Sequence, residues 1–196
     1  YDDYRGYWDW QLWDGGNDRL ELGAGITADD IQVIQLDSND LALRIKDTGE
    51  QITLSSAVSD IRNRIETVRF ADGTEWTHAD LMTRALQPTV GNDVFHAGYV
   101  EIDLSGGAGD DVLHGNNYSQ ILDGGAGNDS VIGVEGNDTL AGRGGFDTLF
   151  GGNGADNISG SMGNDMLYGG AGADRLDGGQ GADYASYLHA ASRVVV

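Results

Sequence analysis

The chain has 196 residues, 39% of them apolar, enough for one or two domains with a modest core. Acidic residues outnumber basic ones 32 to 11, for a formal net charge of −21, so nucleic acid and anionic lipid are poor partners unless cations intervene, and multivalent cations are the natural counter-charge. There is no cysteine, which removes disulfides and thiolate metal sites, and no apolar run reaches the roughly eighteen residues that a transmembrane segment needs. The chain opens on Tyr1 and stops at Val194, Val195 and Val196, which reads as an excerpt of a longer protein.

Residues 1–13, YDDYRGYWDWQLW, form an aromatic-rich lead segment. Such a cluster caps a fold end or packs on preceding chain, and its rings could alternatively stack on glycans. Residues 14–90 read as a small β-rich module: Ile31 to Leu36, Leu41 to Ile45 and Ile65 to Phe70 have strand character, and DTGE and ADGTEW supply turns. Its last piece, THADLMTRAL, places Thr77 as a cap with Asp80 three residues on and an apolar stripe of Leu81, Met82, Ala85 and Leu86, which predicts one short helix.

Residues 91–186 are repetitive. From 106 the chain runs in nine-residue units without insertion: GGAGDDVLH, GNNYSQILD, GGAGNDSVI, GVEGNDTLA, GRGGFDTLF, GGNGADNIS, GSMGNDMLY, GGAGADRLD and GGQGADYAS. The sixth place is Asp in eight of the nine, a register that no flexible glycine linker would keep. Glycine permits a six-residue turn through positive φ, and the last three residues alternate out, in, out as a minimal strand. Two units make one coil of eighteen residues, with Leu113, Leu122, Val131, Leu140, Leu149, Ile158, Leu167 and Leu176 pointing into a thin core. One aliphatic per unit contributes about 2 kcal/mol, whereas ordering nine residues costs roughly 1 kcal/mol each, so packing alone does not fold this segment. Residues 187–196 form a tail.

Stacked coils lie about 4.8 Å apart. Asp111, Asp129, Asp147, Asp165 and Asp183 therefore form a carboxylate ladder on one flank, and Asp138, Asp156 and Asp174 a second on the other. A hard divalent ion could bridge two turns with one carboxylate from each and backbone carbonyls besides. Calcium suits this better than magnesium, which demands a tight octahedron and keeps its waters.

These units match GGxGxDxUx, and the chain resembles the RTX (repeats-in-toxin, haemolysin-type calcium-binding) proteins, strongly over 106–186 and weakly over 88–105. The phrases GNDRLELGAGIT and NRIETVRFADGTEW with the closing helix resemble the haemolysin-type calcium-binding related domain, over the whole of 14–90. The resemblance implies an all-β fold with a parallel β-roll. Each ion would take the second and fourth carbonyls and the Asp of one turn, and the first and third carbonyls and the Asp of the next.

Carried onto this chain, it implies one ion held by Gly107, Gly109, Asp111, Gly124, Ala126 and Asp129. The next on that flank uses Gly125, Gly127, Asp129, Gly142, Gly144 and Asp147, then Arg143, Gly145, Asp147, Gly160, Met162 and Asp165, and last Ser161, Gly163, Asp165, Gly178, Gln180 and Asp183. The opposite flank uses Val134, Gly136, Asp138, Gly151, Asn153 and Asp156, then Gly152, Gly154, Asp156, Gly169, Ala171 and Asp174. Those are six sites, and the spacing of Asp93 from Asp111 allows a seventh. Gln120 and Ile102 stand where Asp is expected, so the second flank should lack ions at its start. At position 143 only the carbonyl would be used, which leaves the Arg143 side chain free to point to solvent.

Catalytic patterns are missing. His78, His96, His114 and His189 form no HExxH, there is no GxSxG, and GAG at 23–25 lacks the third glycine of a dinucleotide site. His114, at a ninth place, is expected to face solvent. The reading is a non-enzymatic calcium-binding module of a secreted bacterial protein. The resemblance implies export unfolded by type I secretion machinery, then folding on extracellular calcium as a stabilising scaffold. The alternatives are an adhesive surface, using glycans or neighbouring copies as partners, and the C-terminal tail of a secreted enzyme.

Overall fold

The computed structural model describes residues 19–37, 39–55, 57, 65–99 and 101–188. The lead segment 1–13 and the tail from His189 onward lie outside the described residues. Two compact units divide at Leu86 and Gln87.

The first unit holds two three-stranded sheets. β1 (Arg19–Glu21), β5 (Thr67–Arg69) and β6 (Glu75–Thr77) form one, in the order β1-β5-β6; β2 (Ile31–Gln35), β3 (Leu41–Ile45) and β4 (Gln51–Leu54) form the other as an antiparallel meander. The expected strands at Ile31, Leu41 and Ile65 correspond to β2, β3 and the shorter β5. The expected helix is α1 (His78–Ala85). Its start is fixed as the sequence suggests: Thr77 Oγ1 accepts the Asp80 N–H at 3.2 Å, and Asp80 accepts the Thr77 N–H at 2.8 Å. Leu81, Met82 and Ala85 are buried, as are Leu41, Leu43, Val68, Phe70 and Trp76. Phe70 meets Trp76 edge-on at 4.7 Å, and the Arg84 guanidinium lies 4.0 Å over the Trp76 ring. This is a conventional small core.

The second unit is a parallel β-roll of about five coils. β7 (Val94–His96), β9 (Val112–His114), β11 (Ser130–Glu135), β13 (Thr148–Asn153), β15 (Met166–Ala171) and β17 (Tyr184–Ser186) stack in sequence order into one sheet. β8 (Leu104–Ala108), β10 (Ile121–Ala126), β12 (Thr139–Gly144), β14 (Asn157–Met162) and β16 (Arg175–Gln180) stack into the other. Register advances by eighteen residues throughout, as in Leu122↔Leu140 and Leu140↔Ile158. Leu113, Leu122, Val131, Leu140, Leu149, Ile158 and Leu167 are fully buried between the sheets, while Leu176 in the last coils is half-buried.

The strands are longer and the turns shorter than expected. In the units at 106 and from 124 to 180 the first three residues continue the strand begun in the unit before, giving six-residue strands such as Ile121–Ala126 joined by three-residue turns, whereas in the unit at 115 the strand stops at His114 and 115–120 carry none. The glycine at the first place packs inward without a side chain, and the second-place residue stays in the parallel ladder despite a positive φ, as Gly125↔Gly107 shows.

Three units carry that strain at the second place without glycine, whereas Asn116 and Thr89, at the second place of theirs, do not take a positive φ. Val134 has φ of 91°, Arg143 79° and Ser161 78°, the left-handed region that a β-branched residue strongly disfavours. Arg143 recovers part of the cost through Asp123, to which its guanidinium donates at 3.0 and 2.7 Å. Val134→Gly should raise the urea-unfolding free energy of the folded protein by about 1 kcal/mol. Gly152→Val, whose Cβ would collide with the Val134 carbonyl oxygen, should lower it by at least as much; equal midpoints for the two variants would refute the strain argument.

Candidate metal centre

Most units deliver the sixth residue at the end of a three-residue turn, with the side chain turned inward under the strand. Asp111, Asp129, Asp138, Asp147, Asp156 and Asp165 are at most 2% exposed. One oxygen of each carboxylate reaches back one coil. Oδ1 of Asp129 accepts the Asp111 N–H at 2.8 Å, that of Asp147 the Asp129 N–H at 2.8 Å, and that of Asp156 the Asp138 N–H at 2.8 Å. The other oxygen has no partner: Oδ2 of Asp111, Asp129, Asp138, Asp147, Asp156, Asp165 and Asp174 is buried and accepts no hydrogen bond. Seven orphaned anionic oxygens in one small roll is a large unfavourable term unless something positive meets them.

Backbone oxygens crowd the same gaps. A Cβ on Gly106 would meet both Asp111 Oδ2 and the Gly124 carbonyl, the latter at 2.5 Å; a Cβ on Gly160 would meet Asp165 Oδ2 and the Gly178 carbonyl, the latter at 2.6 Å. Second- and fourth-place carbonyls of one turn point forward onto the next. The Gly107 and Gly109 oxygens lie against Gly125 and Gly127, those of Val134 and Gly136 against Gly152 and Gly154, and those of Ser161 and Gly163 against Gly179 and Gly181. Third-place carbonyls point back: Ala126 and Gly144 accept the N–H groups of Gly109 and Gly127, and Met162, Gln180, Asn153 and Ala171 do likewise one coil earlier. Among the described residues no three acidic or histidine side chains converge on one point, so any cation here must draw on these carbonyls. An all-oxygen set with carboxylates from two turns is the chemistry of a hard divalent ion.

Burial raises the carboxylate pKa values, against the opposing hydrogen bond from the preceding coil. Desolvation, with smaller repulsion from Asp129 and Asp165, lifts Asp147 to about 6. Asp156 is likewise lifted to about 6, by burial first and then by Asp138 and Asp174. Asp111, Asp129, Asp138 and Asp165 are raised too, chiefly by burial.

The irregular positions separate cleanly. Asp93 turns to Thr89, accepting its N–H at 2.7 Å and its hydroxyl at 3.0 Å, although the Thr89 and Gly91 carbonyls still face Gly107 and Gly109. Gln120 is buried with both ends of its amide bonded. His114 is half-buried rather than plainly solvent-facing. Its Nδ1 lies 3.1 Å from the Gly115 carbonyl, and its ring centroid 5.4 Å from that of His96.

A fifth-place side-chain ladder was not anticipated. Asn128 Oδ1 accepts the Phe146 N–H, Asn137 Oδ1 the Ala155 N–H and Asn164 Oδ1 the Ala182 N–H, each at 2.8 Å. The recurrent Asn before Asp in GNDS, GNDT and GNDM was the available signal.

The repeat model described as the RTX calcium-binding nonapeptide repeat matches four times, at 103–131, 114–149, 132–167 and 150–185. Residues 103–185 are RTX calcium-binding nonapeptide repeats. The haemolysin-type calcium binding protein related domain matches 40–80, a narrower span than the 14–90 expected. No curated protein matches the chain. RTX repeats are a structural calcium-binding module, so the ion that fits the oxygen-lined gaps is the one this family binds.

Protons compete for the same oxygens. A folded-state pKa raised above the unfolded value means that protonation favours the metal-free roll, a contribution fully present below pH 4 and lost as pH rises through about 6 for Asp147 and Asp156. Calcium binding runs the other way. For a chain that is unfolded without calcium, the reference for the calcium midpoint of the β-sheet circular dichroism signal is an Asp of ordinary pKa near 3.8. The midpoint should therefore hold between pH 7 and 5 and rise only as the pH falls through about 4, whereas a roughly tenfold rise between pH 7 and 5 would show that a metal-free roll is populated and exchanges protons for calcium.

Proposed function

We propose that this chain is a calcium-gated folding module of a secreted bacterial protein. It leaves the cell unfolded through type I secretion machinery and folds outside into a stabilising scaffold. The observation that carries the reading is the set of seven buried Oδ2 atoms without a partner. A roll that hides this much uncompensated charge is unstable until cations arrive, and binding free energy then becomes folding free energy. Sites of the extracellular kind, with Kd around 10⁻⁴ to 10⁻³ M, stay empty at cytosolic calcium and fill outside.

The ion positions we favour are the six derived from the repeat. On the first flank they fall between the turns bearing Asp111, Asp129, Asp147, Asp165 and Asp183, and on the second between those bearing Asp138, Asp156 and Asp174. A seventh between Asp93 and Asp111 would have to compete with the Thr89 hydrogen bonds for the Asp93 carboxylate. The adhesive, glycan-binding alternative rests on the aromatics of 1–13, which lie outside the described residues.

Calcium-free protein should lack the β signal of the roll, and millimolar calcium should restore it cooperatively; a spectrum unchanged by chelator would refute calcium gating. Asp147→Asn touches two gaps and Asp183→Asn only one at the open end. The first should therefore raise the calcium midpoint several-fold and the second by clearly less, because each lost carboxylate weakens every site it serves. Identical midpoints for the two variants would contradict the shared-carboxylate arrangement.

A further inference from the structure

Gln120 occupies the sixth place of its unit, where eight of the nine units from 106 to 186 carry Asp. It is 3% exposed, as hidden as the aspartates, yet its polar atoms are satisfied. Oε1 accepts the Asn116 N–H at 2.8 Å within its own turn. Nε2 donates to the Ile102 carbonyl one coil earlier at 2.6 Å. Its backbone N–H goes forward to Asp138 Oδ1 at 2.9 Å, the same link that Asp111, Asp129, Asp138, Asp147, Asp156 and Asp165 make. Oε1 also takes the place that Oδ2 takes elsewhere: a Cβ on Gly115 would meet it at 2.7 Å and the Gly133 carbonyl at 2.5 Å.

We propose that the Gln120 amide stands in for an ion, closing the gap between turns 97–102 and 115–120 by direct hydrogen bonding and ending the calcium ladder of the second flank. That gap has Ile102 on one side and Gln120 on the other, so it offers no sixth-place carboxylate to a cation. A neutral amide of this length meets both demands there. Its oxygen satisfies the turn's own Asn116 N–H, as a carboxylate oxygen could. Its nitrogen supplies two N–H donors to a coil whose carbonyls would otherwise face a vacant gap. A glutamate or aspartate would bring only acceptors against the Ile102 carbonyl, and a hydrocarbon would leave both the donor and the acceptor unpaired in a buried place. The second-flank ions then begin between Asp138 and Asp156.

This inference rests on the calcium reading of the roll, and the test separates the two. Ions are counted by native mass spectrometry on the full chain in saturating calcium, and the calcium midpoint of the β signal is measured alongside. Gln120→Met keeps length and burial but loses the amide. It should hold the wild-type ion count while its folding constant falls roughly fivefold for each hydrogen bond lost, seen as a higher calcium midpoint. Gln120→Asp gives the gap to turn 133–138 its second carboxylate and should bind one ion more than wild type.

If Gln120→Met binds one ion fewer, Gln120 is itself a ligand and the inference falls. It falls equally if Gln120→Met changes neither count nor midpoint, or if Gln120→Asp folds without gaining an ion. A wild-type count of zero would overturn the calcium reading of the whole roll and this inference with it, whereas a normal wild-type count with any of the other failures overturns the inference alone.

Discussion

A repeat of eighteen residues in a parallel stack places the same side chain directly above itself, about one strand spacing away, on every coil. When that side chain is a buried carboxylate, the stack is a column of like charges inside a low-dielectric interior, and the rest of the roll has to be arranged around this fact. The two oxygens of each Asp divide the work. Oδ1 is held by a backbone N–H of the coil before, which fixes the rotamer and the spacing. Oδ2 is left bare toward the gap ahead. An ion in the gap ahead would meet Oδ2 and the carbonyls that the glycine-rich turns aim there, while Oδ1, which keeps a lone pair beside its hydrogen bond, faces the gap behind.

The ends of the ladders show the same logic with the ion removed. At the first coil Asp93 has no earlier coil to bind, and the Thr89 N–H and hydroxyl occupy its oxygens. On the second flank Gln120 brings its own donor. At the far end of the described coils Asp183 is exposed with Tyr184 and Ala185, so solvent reaches its charge. The roll thus passes from hydrogen-bonded termination at its start, through coils in which one oxygen of each carboxylate lacks a protein donor, to a last described coil whose Asp183 is exposed.

Much of this was legible in the sequence. The nine-residue register specified the parallel roll, the buried eighth-place aliphatics and the two Asp ladders, since a strict period admits few stackings. Thr77 and Asp80 marked the start of α1 because a capping box is local chemistry. What the sequence hid was set by neighbours eighteen residues away. Strand length depended on whether first- to third-place residues found ladder partners in the next coil, and Asn128, Asn137 and Asn164 looked like turn residues rather than inter-coil staples. Gln120 was visible as a departure, but whether it left a hole or filled one depended on the Ile102 carbonyl. In the first unit β1, β4 and β6 are three or four residues long, too short for alternation to announce them.

The two leading glycines of each unit look alike in sequence and are required for different reasons. The second-place glycine is conformational: its φ is positive, as at Gly107, Gly125 and Gly152, and at Val134, Arg143 and Ser161 other residues accept the strain. The first-place glycine is spatial. It needs no left-handed backbone, but any Cβ there would fill the pocket shared by Oδ2 and the next coil's carbonyl, as at Gly106, Gly133, Gly151 and Gly160. All nine units from 106 to 186 keep it. The two preceding units do not, and neither has a bare carboxylate oxygen to accommodate. Ala97, fully buried, belongs to the unit with Ile102 at its sixth place. Pro88 belongs to the unit whose Asp93 has turned to Thr89. A side chain at the first place and an orphaned oxygen at the sixth exclude one another. That mutual exclusion, more than the Asp itself, marks which turns were built to receive an ion.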